Sequence, residues 1–230
     1  MRRTPSPEST VKLGGNKMQR LNSSDFAIFF ELLHCYAPMP WQTRLAELAC
    51  LGTWPAVIDL PTGAGKTACL DIATFALAFQ ADRPPKERTA PLRTFLVVDR
   101  RIVVDDAFAR AQKIQDRLRR AVGEESILGI VAERLCYLGD NRTQPIEIAL
   151  LRGGVYRDTA WVQSATQPLL VTSTVDQVGS RLLFRGYGVS EASRPIHAAM
   201  VACDSLIVLD EAHCSRAFAQ TLLSVRTFHA

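Results

Sequence analysis

A short apolar run, Ala56-Val57-Ile58-Asp59-Leu60, leads into Pro61-Thr62-Gly63-Ala64-Gly65-Lys66-Thr67 and then into a long apolar stretch ending at Phe79. A strand–loop–helix corner of this kind aims several backbone N–H groups at one point, with a helix N-terminus behind them. Glycines at 63 and 65 let the backbone curl around a phosphate that a Cβ would hold away. Lys66 then reaches the β and γ phosphates, and the Thr67 hydroxyl is placed to ligate Mg²⁺. Thr62, Gly63, Ala64, Gly65, Lys66 and Thr67 are therefore the candidate nucleotide-binding residues. The strict pattern of such loops opens with Gly, and Leu60 stands at that position here.

A second element completes the chemistry 144 residues after Lys66, where the apolar run 205–209 ends in Asp210-Glu211-Ala212-His213. An Asp at the carboxyl end of a buried strand holds the Mg²⁺ of a phosphate-loop enzyme, usually through water. A neighbouring Glu can polarise the attacking water as general base. Ligands in open α/β sheets gather at the carboxyl ends of strands, so Leu60 and Leu209 would deliver both elements to one crevice. Lys66, Asp210, Glu211 and His213 are the candidate catalytic residues. Thr67 and Asp210 are the candidate metal ligands. His213 reads either as a polar residue below the nucleotide or as a satisfied core histidine.

Around these two elements the chain alternates between strand and helix. Ser24 or Asp25 can cap a helix carrying Phe26, Phe29, Phe30 and Leu33 on one side. Pro38 and Pro40 break the chain, and a second helix follows from Trp41. Strands are expected at 56–60, 94–98, 146–151, 169–172 and 205–209, and Ile127 to Val131 also reads as a strand. Residues 82–93 are charged, contain proline and read as a loop. A basic helix over 104–120 shows Arg110, Lys113, Arg117 and Arg120 at three- and four-residue steps, with Asp106/Arg110 and Asp116/Arg120 as i,i+4 pairs, the pattern of a solvated face. Near-continuous apolar strands alternating with helices predict an α/β fold, a mostly parallel sheet with helices on both faces. Residues 1–24 are rich in Ser, Pro, Gly, Asn and charge and read as a flexible basic tail.

Composition narrows the alternatives. At 230 residues, 47% hydrophobic and 22% charged, the chain can bury a sizeable core without disulfides. The net charge is +4, and residues 1–25 hold five bases against two acids. The body is thus nearly neutral, and any nucleic-acid surface must be local. Six cysteines show no C-x-x-C pair and read as reduced, buried thiols. No apolar run reaches the roughly 18 residues of a membrane helix. Nor does an apolar segment follow Arg2 and Arg3, so no membrane partner is expected and the cytoplasm is the default location.

Pro61-Thr62-Gly63-Ala64-Gly65-Lys66-Thr67 together with Asp210-Glu211-Ala212-His213 resembles motifs I and II of superfamily 2 helicases. Pro38-Met39-Pro40-Trp41-Gln42 resembles their upstream Q motif, in which the glutamine reads adenine; Gln42 is its counterpart. Asp99-Arg100-Arg101 occupies the place of motif Ia and Leu151-Arg152-Gly153-Gly154 that of motif Ib. Val171-Thr172-Ser173-Thr174-Val175-Asp176-Gln177 resembles motif Ic. The resemblance implies a RecA-like P-loop NTPase domain using ATP and Mg²⁺. It also implies a single-stranded DNA path over Arg100, Arg101, Arg152, Gly153, Thr172, Ser173, Thr174 and Gln177. Small hydroxyls, glycine amides and arginines suit backbone contacts that ignore sequence.

Longer phrases narrow the resemblance. Those at 98–105, 173–183 and 209–215 are similar to the helicase–nuclease of type I CRISPR interference, with Phe184-Arg185-Gly186-Tyr187-Gly188 and Arg194-Pro195-Ile196-His197 most like subtype I-G, formerly I-U. This implies an antiviral DNA helicase recruited by a CRISPR effector complex. Residues 25–230 then correspond to the first RecA-like lobe, ending before motif III, with the second lobe and the HD nuclease domain outside this chain. A lobe alone is expected to bind ATP–Mg²⁺ weakly and hydrolyse it poorly. Other superfamily 2 motors, such as an RNA helicase or a restriction translocase, remain open at this stage, as does a nucleotide-dependent binding module without motor work.

Overall fold

The computed structural model describes residues 19–61, 63–153 and 159–227. Thr62 and Gly154 therefore lie outside the described residues, as do residues 1–18 of the expected tail.

Helix α1 (Phe26–His34) follows a tight turn in which the Asn22 N–H donates to Asp25 Oδ2 at 2.7 Å. Its Phe26, Phe29, Phe30 and Leu33 are all but fully buried, the spacing of one helix face. Pro40 opens α2 (Pro40–Cys50), where its missing N–H costs nothing. After the glycine loop, a single 3-10 turn over Lys66–Ala68 leads into α3 (Cys69–Phe79), buried along almost its whole length.

The sheet comprises β1 (Arg93–Val98), β2 (Glu147–Leu151), β3 (Leu169–Thr174) and β4 (Ser205–Leu209), in the order β2-β3-β1-β4. Every pairing is parallel. Alternate residues of each strand feed two separate cores. Leu96 and Leu170 join the core formed with α1, α2, α3, α4 (Arg101–Ala121) and α5 (Ile127–Gly139). Phe95, Val97, Leu169 and Val171 join the other, with α6 (Val175–Leu182), α7 (Arg194–Ala202) and Phe218 of α8 (Arg216–Thr227). Helices thus cover both faces of a parallel sheet, the RecA-like arrangement, as expected.

Five expectations need correction. Residues 127–131 open helix α5 rather than forming a strand. A five-residue apolar run carries no period of its own. Here Ser126 Oγ accepts from the Gly129 N–H at 3.1 Å, and the buried set Leu128, Val131, Ala132 and Leu135 continues at helical spacing. Gly129 is required, because a Cβ there would stand 2.1 Å from the Glu124 carbonyl oxygen.

Residues 56–60 do not pair into the sheet. They lie across a cavity of about 330 Å³ from β4, with Val57 exposed. No strand stands beside them to complete a ladder among the described residues. Arg110, placed by sequence on a solvated face, turns inward to an ion pair with Asp71. Among the cysteines, Cys50, Cys69 and Cys136 are buried, whereas Cys35, Cys203 and Cys214 are exposed. Burial pushes the thiols of Cys50 and Cys69 up to about 12 and that of Cys136 to about 11. All six are free. Residues 19–24, assigned with the tail, are tied to the body: Leu21 is buried and the Gln19 carbonyl accepts from Arg134 Nη1 at 2.9 Å.

Candidate functional site

Two glycines shape the corner between residue 60 and α3. Gly63 and Gly65 sit at φ +84° and +74°, the left-handed region that side chains avoid. A Cβ at Gly63 would meet nothing within 4 Å, so the loop encloses open space. Helix α2 braces this loop from behind. Trp41 Nε1 donates to the Ala64 carbonyl at 3.1 Å. Gln42 is buried; its Oε1 accepts from the Met39 N–H at 2.8 Å while Nε2 lies 3.5 Å from the Gly65 carbonyl. Gln42 thus ties the helix start to the loop, a role sequence inspection did not assign. Trp41 was missed as well, although its place beside Gln42 in a proline-bounded turn was a usable signal.

Across the cavity, β4 ends at Leu209, and the Asp210 N–H still reaches the sheet by donating to the Val97 carbonyl at 2.9 Å. The next residue, Glu211, adopts φ 48°, a left-handed conformation uncommon for a side-chain-bearing residue and one that costs energy. That turn brings the carboxylates to the lysine. Lys66 Nζ stands 3.0 Å from Glu211 Oε1 and 3.4 Å from Asp210 Oδ1. The ion pair with Lys66 holds the Glu211 carboxyl below the usual range, and the same hydrogen bond raises the lysine. His213 Nδ1 lies 3.4 Å from Glu211 Oε2, and its side chain is 69% exposed. Exposure decides against a core histidine.

Lys66, Thr67, Asp210, Glu211 and His213 therefore line one cavity with residues 54–60. The donor set fits a magnesium–nucleotide. One cation and the amides of a glycine loop face a hydroxyl and a carboxylate, and Mg²⁺ is typically bound by one or two protein oxygens plus phosphate and water. Thr67 and Asp210 would hold the ion, and the ion would neutralise charge on the phosphates.

The strand-binding candidates separate into two groups. Arg100 and Arg101 start α4 just after β1 and are exposed, and Arg100 is close enough to help lower the Glu211 carboxyl. Arg152 and Gly153 follow β2, with Arg152 Nε 2.8 Å from Asp105 Oδ1. A Cβ on Gly153 would lie 3.2 Å from Arg101 Nη2, so these two loops touch. Gln177 stands in the first turn of α6, where its Oε1 accepts from Arg181 Nη1 at 2.8 Å. All five lie beyond the carboxyl ends of neighbouring strands. Thr172, Ser173 and Thr174 are different, because all three are buried in β3. Ser173 Oγ donates to the Leu151 and Thr174 carbonyls. The Ser173 hydroxyl thus serves the sheet, and all three side chains are enclosed rather than presented to solvent.

Among the described residues no helix is long and apolar enough to cross a membrane. Searches of the curated proteins and of the solved structures return no match. The profile of the family described as "Type III restriction enzyme, res subunit" matches residues 40–226, a span that runs from the start of α2 through the glycine loop and the Asp210-Glu211 turn into α8. That family carries a superfamily 2 helicase-like domain, and its reach over both halves of the cavity makes this chain a member of it.

Proposed function

We propose that this chain is the ATP-binding lobe of a DNA motor that separates strands in CRISPR-type antiviral interference. The observation that carries the motor reading is the meeting of Lys66 with Glu211 and Asp210 in one cavity at the carboxyl side of a parallel sheet. In it Lys66 contacts the β and γ phosphates, Glu211 orients the attacking water and accepts its proton, and Gln42 and His213 border the site. Lys66 must leave Glu211 when phosphate enters, which frees the carboxylate to act as base. Arg100, Arg101, Arg152, Gly153 and Gln177 carry the single-stranded DNA backbone. The interference setting is supported by the phrases at 98–105, 173–183 and 209–215, and a cytoplasmic location belongs to the same proposal. In the whole protein, a second lobe would supply arginine fingers and a nuclease domain would act downstream.

A restriction translocase is the second reading, favoured by the family match. The test is hydrolysis of ATP with Mg²⁺ by the isolated chain and by the whole protein, in the presence of single-stranded DNA, duplex DNA or single-stranded RNA. The proposal expects weak nucleotide binding and near-basal turnover by the chain alone, and strong stimulation of the whole protein by single-stranded DNA. Stimulation by duplex DNA alone supports the translocase, and stimulation by RNA alone refutes both. If Glu211→Gln leaves phosphate release by the whole protein unchanged, a binding module without motor work is the correct reading.

A further inference from the structure

A second cavity, of about 320 Å³, lies beyond the carboxyl ends of β2 and β3, on the far side of the sheet order from β4. The two phrases at 184–188 and 194–197 that the nucleotide site leaves unused both contribute to it, through Tyr187 and His197. Its volume sits at the small end of ligand pockets, roughly 300–1,000 Å³, which suits one flat heterocycle and little more. Val162, Val189 and Ile196 supply apolar walls. Beneath them, aromatic packing is stiff: Trp161 meets the His197 ring edge-on at 5.1 Å, and the Arg181 guanidinium lies 5.9 Å from the Trp161 ring centre.

Polar groups at the same cavity are of two kinds. The charged ones are already occupied, Arg181 by the Gln177 carbonyl and side chain and Arg152 by Asp105. An anion entering here would have to break those pairs. His197 lines the cavity with a side chain 98% buried, and its Nδ1, itself without accessible surface, finds no hydrogen-bond partner among the described residues. The cavity therefore offers an entering molecule apolar contact rather than a free charged group. Tyr187, 57% exposed, stands at the rim with an aromatic face available for stacking.

Arg152 and Gln177, two of the strand-path residues, line this cavity as well. We propose that it receives a single nucleobase turned out of the bound DNA strand, sandwiched by Tyr187 and the apolar wall. The inference rests on the strand path proposed above. Capturing one base at a time gives the lobe a grip that does not depend on phosphate charge, and stacking tolerates any base.

The experiment is binding of a set of ten-nucleotide single strands, each with one abasic residue at a different position, to the 230-residue chain by fluorescence anisotropy. An abasic residue at one or two positions should weaken binding about tenfold, the loss expected for one stacked base, with the other positions near neutral. Ile196→Trp fills the cavity from a half-exposed position. It should lower affinity for the intact strand to the level of the worst abasic one and flatten the profile. Tyr187→Ala, at an exposed residue with little effect on folding, should reduce the position-dependent penalty. It decides the matter if the tryptophan variant does not fold. A flat profile in the wild type, or an unchanged profile in Tyr187→Ala, overturns the base pocket while leaving the strand path standing. Failure of the wild type to bind any of the strands overturns the strand path, and the pocket with it.

Discussion

The helix that carries Lys66 is anchored by a buried ion pair whose two halves differ in their access to water, and this difference makes a quantitative prediction. Asp71 lies in the first turn of α3 with a fully buried side chain. Its Oδ1 is 2.7 Å from His34 Nε2 and its Oδ2 is 2.5 Å from Arg110 Nε. Arg110 retains 16% side-chain exposure. Removing one partner of a buried pair typically costs about 3–5 kcal/mol, because the other charge is left uncompensated. Arg110→Met strands a carboxylate with no route to solvent and should cost about 4–5 kcal/mol, at the top of that range. Asp71→Leu leaves an arginine that can swing outward along its exposed side and should cost about 3 kcal/mol. At about 2–4 °C per kcal/mol for a domain of this size, the melting temperature should fall by roughly 8–20 °C and 6–12 °C respectively. The double variant Asp71→Leu/Arg110→Met removes both charges but leaves the buried His34 Nε2 without either partner, so it should cost about 1–3 kcal/mol, well short of the sum of the two singles. Urea unfolding followed by circular dichroism measures all four corners of the cycle. Single variants that each cost under about 1 kcal/mol, or a double variant as unstable as the sum of the singles, would refute the account of this pair.

Other consequences are simpler to check. Glu211→Gln removes the strongest partner of Lys66, so a fluorescent ATP analogue should bind a few-fold more tightly while phosphate release falls by at least a hundredfold. Lys66→Ala removes the group that depresses the Glu211 carboxyl. Because a depressed carboxyl stabilises the fold above its ordinary value of 4.5 and loses that contribution as pH falls through the lowered one, the variant should show a weaker loss of stability on acidification below pH 4.5. His197 is pushed below its ordinary 6.5 by burial first and by the Arg181 cation second. The unfolded chain then takes up the proton first, so the urea midpoint should drop as pH is lowered from 6.5, and His197→Gln should remove part of that slope.

Local pattern disclosed those parts of the molecule whose cause is local. Phe26, Phe29, Phe30 and Leu33 identify a helix because their spacing matches one face, whatever lies opposite. The runs at 94–98 and 205–209 read as strands because only a sheet buried on both faces makes use of continuous β-branched and leucine residues. Lys66, Asp210 and Glu211 were legible because phosphate and magnesium chemistry demands those groups in that order. What stayed hidden depends on partners remote in sequence. Arg110 belongs to a pattern of exposed bases until α3 brings Asp71 against it. Thr172 and Ser173 look like phosphate ligands until β1 and β2 close around β3 and enclose their hydroxyls. Gln42 carries no mark of its contact with the loop, since that contact needs the glycine turn first.

Residues 56–60 carry the same lesson furthest, because their strand-like sequence pairs with no strand among the described residues. Among the described residues strand β4 is an edge, bonded to β1 alone. Its Asp210 N–H points to β1, donating to Val97. Alternation then turns the N–H groups of Leu206 and Val208 to the same side and those of Ile207 and Leu209 outward to the cavity that separates β4 from residues 54–60. Unpaired amides beside a wet gap exchange through local opening, whereas laddered ones in the same strand need a much larger unfolding. Hydrogen exchange followed by nuclear magnetic resonance should therefore show alternation along five residues, with Val208 and Asp210 protected at least a hundredfold more than Ile207 and Leu209. The gap also sets how far Lys66 can withdraw from Glu211, since residues 54–60 are the loop's only connection toward α2 in the chain. If Ile207 proves as protected as Val208, something already bonds along that edge. The glycine loop would then be held by a continuous sheet, and the freedom of Lys66 to exchange Glu211 for phosphate would need another source.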